Sequence, residues 1–248
     1  PRVPGEFHSR VTRLSEQLSL GVAIPAAGSG TRMGGRRKAF VTLGGIPLLR
    51  HALGPFLEHP SVQSVVVALA AEDADDPPAW LRNLDPRIRV VPGGETRLHS
   101  VQAALEALEP TVTWVLVHDA ARPLVTRDII DRCVEAVGHG EGVVAGWPVA
   151  DTLKEVGVDR RVVASPDRSR LWSAQTPQVF PRQELAEAYR QAVQDGASVT
   201  DDAEVYCRWG GTVRMVKGSP WNLKVTYSED LAVAEHLRTW VHELKCGG

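Results

Sequence analysis

Val22-Ala23-Ile24-Pro25-Ala26-Ala27-Gly28-Ser29-Gly30-Thr31-Arg32-Met33 runs on to Lys38 and sets the reading of the whole chain. A strand-like apolar run stops at Pro25 and passes into small residues and glycines, which let the backbone approach a ligand closely and turn N–H groups toward anionic oxygen. Arg32 and Lys38 add full positive charge beside it, one a planar fork and the other a compact point charge. The stretch therefore reads as a phosphate-handling loop that ends the first strand of an α/β fold. Its spacing argues against two familiar nucleotide loops. A dinucleotide fingerprint needs a glycine where Met33 stands and an acidic residue about 20 positions on, and a P-loop needs Gly-Lys-Ser/Thr where Gly34-Gly35 is followed by Arg36-Arg37. On this segment alone, a glycine-rich surface turn is the alternative.

Length and charge bound the rest. The 248 residues fit one large α/β domain with a sizeable core. With 30 acidic against 28 basic residues the formal net charge is −2, which points away from a nucleic-acid scaffold or a membrane surface. No apolar run reaches the roughly 18 residues of a membrane span. Cys133, Cys207 and Cys246 share no C-x-x-C spacing, so they read as reduced thiols of a cytoplasmic protein and offer no cysteine metal site.

Residues 1–20 mix Pro, Gly and charge and are set aside as an N-terminal extension or remnant, leaving 21–248 as the domain. Strands are expected at Val22 to Pro25, Val65 to Ala70, Ile88 to Val91, Trp114 to Val117 and Gly142 to Trp147, with helices at Ile46 to Leu57, Leu98 to Leu108 and Arg127 to Val137 between them. Such alternation predicts a single Rossmann-like, mostly parallel sheet flanked by helices, with ligands beyond the carboxyl ends of the strands. The regularity stops after Pro148. Asp151 to Val156 and Arg161 to Ala164 alternate around Gly157-Val158-Asp159-Arg160 with few large apolar residues, which predicts a protruding β-hairpin arm over about 149–172. An isolated two-stranded ribbon is marginal in water, so it rests on a partner subunit or, as the alternative, lies as an edge hairpin on its own domain. Helices near Gln183 to Gln194, from Thr200-Asp201-Asp202 with Thr200 as N-cap, and from Ser228 to the end complete the fold, with a late strand at Thr212 to Val216. Leu231, Ala234, Leu237 and Val241 are expected to face inward from the last helix.

Three further segments carry charge or glycine where ligands bind. Val117-His118-Asp119-Ala120-Ala121-Arg122-Pro123 ends a buried strand in a charged cluster, in which Asp119 serves a ligand or caps the following turn. Gly93-Gly94-Glu95-Thr96-Arg97-Leu98-His99-Ser100 opens a helix with glycines, either as a plain loop or as backbone laid against a flat base. Asn222-Leu223-Lys224-Val225-Thr226 places a lysine at a strand end, where most lysines are merely solvated.

With Pro-Ala-Ala-Gly before it, Gly28-x-Gly30-x-Arg32 followed by Lys38 resembles the nucleotidyltransferase signature of the methylerythritol-phosphate cytidylyltransferase family. His118-Asp119-Ala120-Ala121-Arg122, Asp151-Thr152-Leu153-Lys154, Thr176-Pro177-Gln178, Thr200-Asp201-Asp202 and Asn222-Leu223-Lys224-Val225-Thr226 match further family segments in family order. The resemblance implies transfer of CMP from CTP to 2-C-methyl-D-erythritol 4-phosphate, with ribitol 5-phosphate or another polyol phosphate as the alternative acceptor. It implies catalytic roles for Arg32, Lys38, Lys224 and Asp119. Nucleotide contacts would come from Pro25, Ala26, Ala27, Gly28, Gly30, Gly94, Ser100 and Ala120, and acceptor contacts from Arg122, Thr200, Thr152 and Arg168. It further implies Mg2+, held mainly by the CTP phosphates rather than by a protein cage, and a homodimer formed through the arm. The attacking phosphate oxygen is already ionised near neutral pH, so the chemistry calls for cations that align two anions rather than for a general base. Arg37 stands where relatives usually have proline, which predicts a more mobile lysine loop. Trp147 stands where they have a smaller residue, which predicts altered packing under the arm, and Glu95 replaces an aspartate, which leaves its role open.

Overall fold

The computed structural model describes residues 18–28, 37–138 and 140–246. Thirteen of its segments form the sheet and its covering helices, in the order β1 (Leu20–Pro25), α1 (Leu48–Leu57), β4 (Val62–Leu69), β5 (Ile88–Pro92), α4 (Arg97–Ala107), β6 (Trp114–Val117), α5 (Arg127–Glu135), β7 (Gly142–Pro148), β10 (Trp172–Pro181), α6 (Arg182–Gln194), α7 (Asp202–Arg208), β11 (Val213–Lys217) and α8 (Ser228–Cys246). Between them lie a small ribbon of β2 (Thr42–Leu43) and β3 (Ile46–Pro47), the short helices α2 (Ala71–Asp75) and α3 (Ala79–Arg82), and a second ribbon of β8 (Glu155–Val156) and β9 (Val162–Ala164). The seven-stranded sheet runs β11-β7-β10-β6-β1-β4-β5. Only β10 is antiparallel to its neighbours in this sheet.

Alternation along the strands builds two apolar layers. Val22, Ile24, Val65, Val67 and Leu116 face one side, where α1 and α5 bring Leu49, Leu53, Phe56, Ile129 and Ile130. Ala23, Val66, Ala68, Val115 and Val117 face the other, against Val101 and Leu105 of α4, Leu185 and Tyr189 of α6 and Val205 of α7. Residues i and i+2 of a strand share a face, so strands covered on both sides read as unbroken apolar runs. Each fully buried valine or leucine contributes about 1.5–3 kcal/mol.

A third, smaller cluster joins Leu43, Leu48, Leu124, Val225 and Ala234, with Leu231 and Leu237 packed against it. It ties α8 to the ribbon that follows Lys38 and to the segment that carries Lys224. Glu235 Oε2 adds a hydrogen bond from the Gly44 N–H at 2.8 Å. The side chain of Val241 lies outside the described residues, as do residues 1–17.

Several expectations change in detail. The first strand opens at Leu20, which is buried and pairs with Val62 and Trp114, so the ordered fold reaches into the segment set aside as an extension. The strand β10 replaces what the sequence showed only as a return to the main fold. Its prolines Pro177 and Pro181 and a register shift between Ala174 and Gln178 hide the strand period. The N-cap of α7 is Asp201 rather than Thr200: Asp201 Oδ1 accepts the Glu204 N–H at 2.9 Å, and Glu204 Oε2 in turn accepts the Thr200 N–H and hydroxyl at 2.7 and 2.8 Å. Arg37 forms ion pairs with Glu72 and Asp73 of α2. The ring of Trp147 takes the Lys217 ammonium, 5.1 Å from its centroid.

Candidate active site

The chain runs outward from β1 to β4 and β5 and then returns to β6 on the other side of β1. A parallel sheet opens a crevice beyond the strand ends where its order reverses in this way. Pro25 ends β1 and Val117 ends β6, so the small residues after Pro25 and the charged run after Val117 face each other across that crevice.

A cavity of about 420 Å³ fills it. Pro25, Ala26, Ala27 and Gly28 line it at and beyond the end of β1, Gly94 and Ser100 before and within the start of α4, and Asp119 and Ala120 beyond the end of β6, with Lys38 and Lys224 completing the wall. Gly30 and Arg32 lie outside the described residues. The approach of β1 to the α4 turn is close enough to demand glycine at 93, where an added Cβ would come within 2.7 Å of the Ala27 Cβ and 2.9 Å of Ser100 Oγ. Ser100 shapes this turn, since its hydroxyl donates to the Thr96 carbonyl at 2.9 Å and accepts the Gly94 N–H at 3.2 Å.

A second cavity of about 230 Å³ adjoins the first and is lined by Arg122, Thr200, Ala174, Gln175, Thr176 and Gln178 among others. Arg97, Asp119 and Lys224 line both cavities and form their common wall. Asp119 Oδ2 lies 2.8 Å from Lys224 Nζ and 3.8 Å from Arg122 Nε, and Oδ1 lies 3.4 Å from Arg97 Nε. Burial works to raise the Asp119 pKa, but the cations Arg97, Lys224 and Arg122 prevail and hold it well below the usual carboxylate range. Arg122 is fixed by two carbonyls, donating to Asn222 O at 2.8 Å and Ala174 O at 3.3 Å. Arg97 is gripped from behind by buried Asp202, with Nη1 to Oδ1 at 2.9 Å and Nη2 to Oδ2 at 2.6 Å. Removing one partner of such a buried pair costs about 3–5 kcal/mol.

Under this wall runs a hydrogen-bonded chain. The Asp119 N–H donates to Thr176 Oγ1 at 3.1 Å, and Thr176 Oγ1 lies 2.9 Å from His118 Nδ1. His118 Nε2 lies 3.2 Å from the Arg122 carbonyl, which can only accept, so Nε2 carries the proton and Nδ1 receives the threonine hydroxyl. Burial lowers the His118 pKa to about 4, and the ring is neutral near pH 7.

Thr152 and Arg168 do not join the other candidates. Both lie in the exposed 151–170 segment, and Arg168 donates to the Ala150 carbonyl of its own chain. Every residue of β8 and β9 is exposed, including Val156, Val162 and Val163. Conversely, Arg97 lines both cavities, with Asp202 and His118 buried behind the wall, and the sequence reading gave none of the three a part in the site. Arg97 sits in the quoted glycine segment, but its carboxylate partner is 105 positions away and no spacing rule links them. Among the described residues no three His, Cys, Asp or Glu side chains cluster as a metal cage would require. Such an assembly of cations around two adjoining cavities can hold two anions close together and stabilise charge that develops between them.

A family model described as 2-C-methyl-D-erythritol 4-phosphate cytidylyltransferase matches residues 20–239. A protein of that name from Symbiobacterium thermophilum is 45% identical over 222 residues, covering 89% of this chain and 93% of its own. One from Haemophilus influenzae is 40% identical over 222 residues, covering 89% and 97%. Among solved structures, 4-diphosphocytidyl-2C-methyl-D-erythritol synthase from Anaerococcus prevotii superposes with a TM-score of 0.79 at 27% identity, covering 90% of this chain and 99% of its own. The 2-C-methyl-D-erythritol 4-phosphate cytidylyltransferase of Thermus thermophilus superposes with a TM-score of 0.75 at 34% identity, covering 89% and 98%.

Proposed function

The chain belongs to the 2-C-methyl-D-erythritol 4-phosphate cytidylyltransferase family, and on that premise we propose how its two adjoining cavities serve the reaction. The enzyme is a nucleotidyltransferase: CTP and 2-C-methyl-D-erythritol 4-phosphate give 4-diphosphocytidyl-2-C-methyl-D-erythritol and pyrophosphate, a step of isoprenoid biosynthesis. The observation that carries the assignment of residues is the common wall of Arg97, Asp119 and Lys224 between the larger and the smaller cavity. The larger takes CTP. Its side formed by Ala26, Ala27, Gly94 and Ser100 is lined by small residues, which suits a small pyrimidine, and Lys38 with Arg32 would attend the triphosphate. The smaller takes the acceptor, with Arg122 toward its phosphate. The Thr200 hydroxyl already donates to Glu204, so toward the acceptor it can only receive, which suits a sugar hydroxyl better than a phosphate.

An oxygen of the acceptor phosphate attacks the α-phosphorus of CTP and forms a new P–O bond. The bond from that phosphorus to the bridging oxygen breaks, and pyrophosphate leaves with the electron pair. Lys38, Lys224 and Arg32 stabilise the charge that grows on the way, and no proton needs to be removed from the nucleophile. Nucleotidyltransferases of this kind generally use a divalent cation. The lining fits Mg2+ carried mainly on the triphosphate, because Asp119, the carboxylate common to both cavities, already faces Lys224 and Arg97 and would leave the ion to the phosphate oxygens. When bound, the ion neutralises phosphate charge.

The arm is read as the dimer contact. Its exposed Val156, Val158, Val162 and Val163 support packing on a second copy, and Thr152 and Arg168 would then complete the partner's acceptor site. A cytoplasmic place is supported by the thiols Cys133 and Cys207, neither of them in a disulfide, and no described helix is long and apolar enough to cross a membrane.

Pyrophosphate release tests the reading, measured on the purified protein with Mg2+, each nucleoside triphosphate in turn and a panel of polyol phosphates. CTP with 2-C-methyl-D-erythritol 4-phosphate is expected to be the fastest pair, with ribitol 5-phosphate well behind. Equal turnover with ATP and CTP would overturn the assignment of the larger cavity.

A further inference from the structure

Asp202 is fully buried and lines neither cavity, yet the arrangement of the common wall depends on it. Its two oxygens occupy both terminal nitrogens of Arg97, and Oδ1 also accepts the hydroxyl of Tyr189, which lies in the core. Burial and the adjacent Asp202 carboxylate push the Tyr189 pKa up, so the phenol stays protonated and donates. With its fork occupied, Arg97 turns only Nε toward Asp119, at a long 3.4 Å from Oδ1. The other oxygen of Asp119 takes Lys224 at 2.8 Å, with Arg122 Nε farther off at 3.8 Å.

Two-pronged arginine–carboxylate pairs are the stronger arrangement, so an unoccupied Arg97 fork would close on Asp119 and compete with Lys224 for Oδ2. We propose that Asp202, steadied by Tyr189, is a positioning residue: by occupying the Arg97 fork it reserves Asp119 Oδ2 for Lys224 and so keeps that lysine between the two cavities. This rests on the reading that Lys224 acts on the transferring phosphate.

The test is steady-state kinetics of Asp202→Asn and Tyr189→Phe, both near-isosteric, together with equilibrium CTP binding, thermal unfolding and a Lys224→Ala control. Misplacing a reacting group by about 1 Å costs on the order of 100-fold, so Asp202→Asn is expected to lower kcat by about 10-fold to 100-fold with the CTP Kd changed less than about 2-fold. Tyr189→Phe should shift kcat in the same direction by less. If Asp202→Asn folds poorly, Tyr189→Phe carries the test by the same split between kcat and CTP binding. An unchanged kcat overturns the proposal, as does a loss matched in CTP binding, because either makes Asp202 a part of the general packing only. If Lys224→Ala itself keeps wild-type turnover, the underlying site reading fails instead, and the two failures are told apart.

Discussion

Lys38 begins a single 3-10 turn, Lys38–Phe40, at the edge of the larger cavity, where the proposed role sets its charge to act on the transition state rather than on the fold. Lys38→Ala is expected to lower kcat at saturating CTP by on the order of 100-fold, about 3 kcal/mol, while denaturant titration shows a change within about 0.5 kcal/mol. Turnover near wild type would remove the lysine from the phosphate clamp. His118 makes the opposite kind of contribution, since it never meets a ligand cavity and acts through its neutrality. Burial lowers its pKa from 6.5 to about 4, so between those values the unfolded chain binds a proton that the native protein does not. At about 1.4 kcal/mol per pKa unit, its share of stability falls by about 3 kcal/mol as the pH drops from 6.5 to 4 and then levels off. His118→Asn should flatten the stability profile in that window, as read from denaturant midpoints at successive pH values. An equal slope in variant and wild type would refute it. Asp119 and the residues after Pro25 stood out in the sequence as charge and glycine beyond strand ends, whereas Lys224 drew its weight from the family resemblance, since most lysines are merely solvated. Arg97 and Asp202 did not stand out, because a pair made across two helices leaves no local pattern.

At the scale of elements, the strands and helices that the sequence made plain are those with one period and one environment. The parallel strands β1, β4 and β6 read directly as apolar runs because both faces are covered. The antiparallel strand β10 begins exposed, passes a register shift at Ala174 to Gln178 and ends buried, and no single period survives that change. The irregularity has a consequence: Gln175 and Thr176 line the smaller cavity, and Gln175 holds Ser219 and Asn222 in place. The start of α7 shows the same limit at smaller size, since Thr200, Asp201 and Asp202 are all suitable caps by type and only their contacts separate them. Asp201 caps the helix and also accepts from Gln178 Nε2 at 3.0 Å. Asp201→Ala is expected to cost about 1–2 kcal/mol in denaturant unfolding, whereas Thr200→Val, which leaves that cap intact, should cost less than half as much. The reverse order would return the cap to Thr200.

At the scale of the whole molecule, the proposed completion of the site by a second copy makes a prediction that no single chain can meet. Arg168→Ala and Lys38→Ala chains should each be nearly inactive alone. After subunit exchange, a mixed dimer has one site carrying both lesions and one carrying neither, so an equal mixture should recover roughly one quarter of wild-type activity. Confirmed mixed dimers that recover nothing would mean that Arg168 serves its own chain. The same molecule is also made in a fixed direction. In the sheet, β10 inserts between β6 and β7, although the chain reaches it only after both, and Lys224 follows later still. On the ribosome the N-terminal strands can assemble first. The residues that line only the larger cavity, Pro25 to Ala121, all precede those that line only the smaller, Arg122 to Asp201, and Lys224, which lines both, comes last. Only a chain translated through Lys224 holds every lining residue of both cavities, so the last piece of the wall between them is also the last to be made.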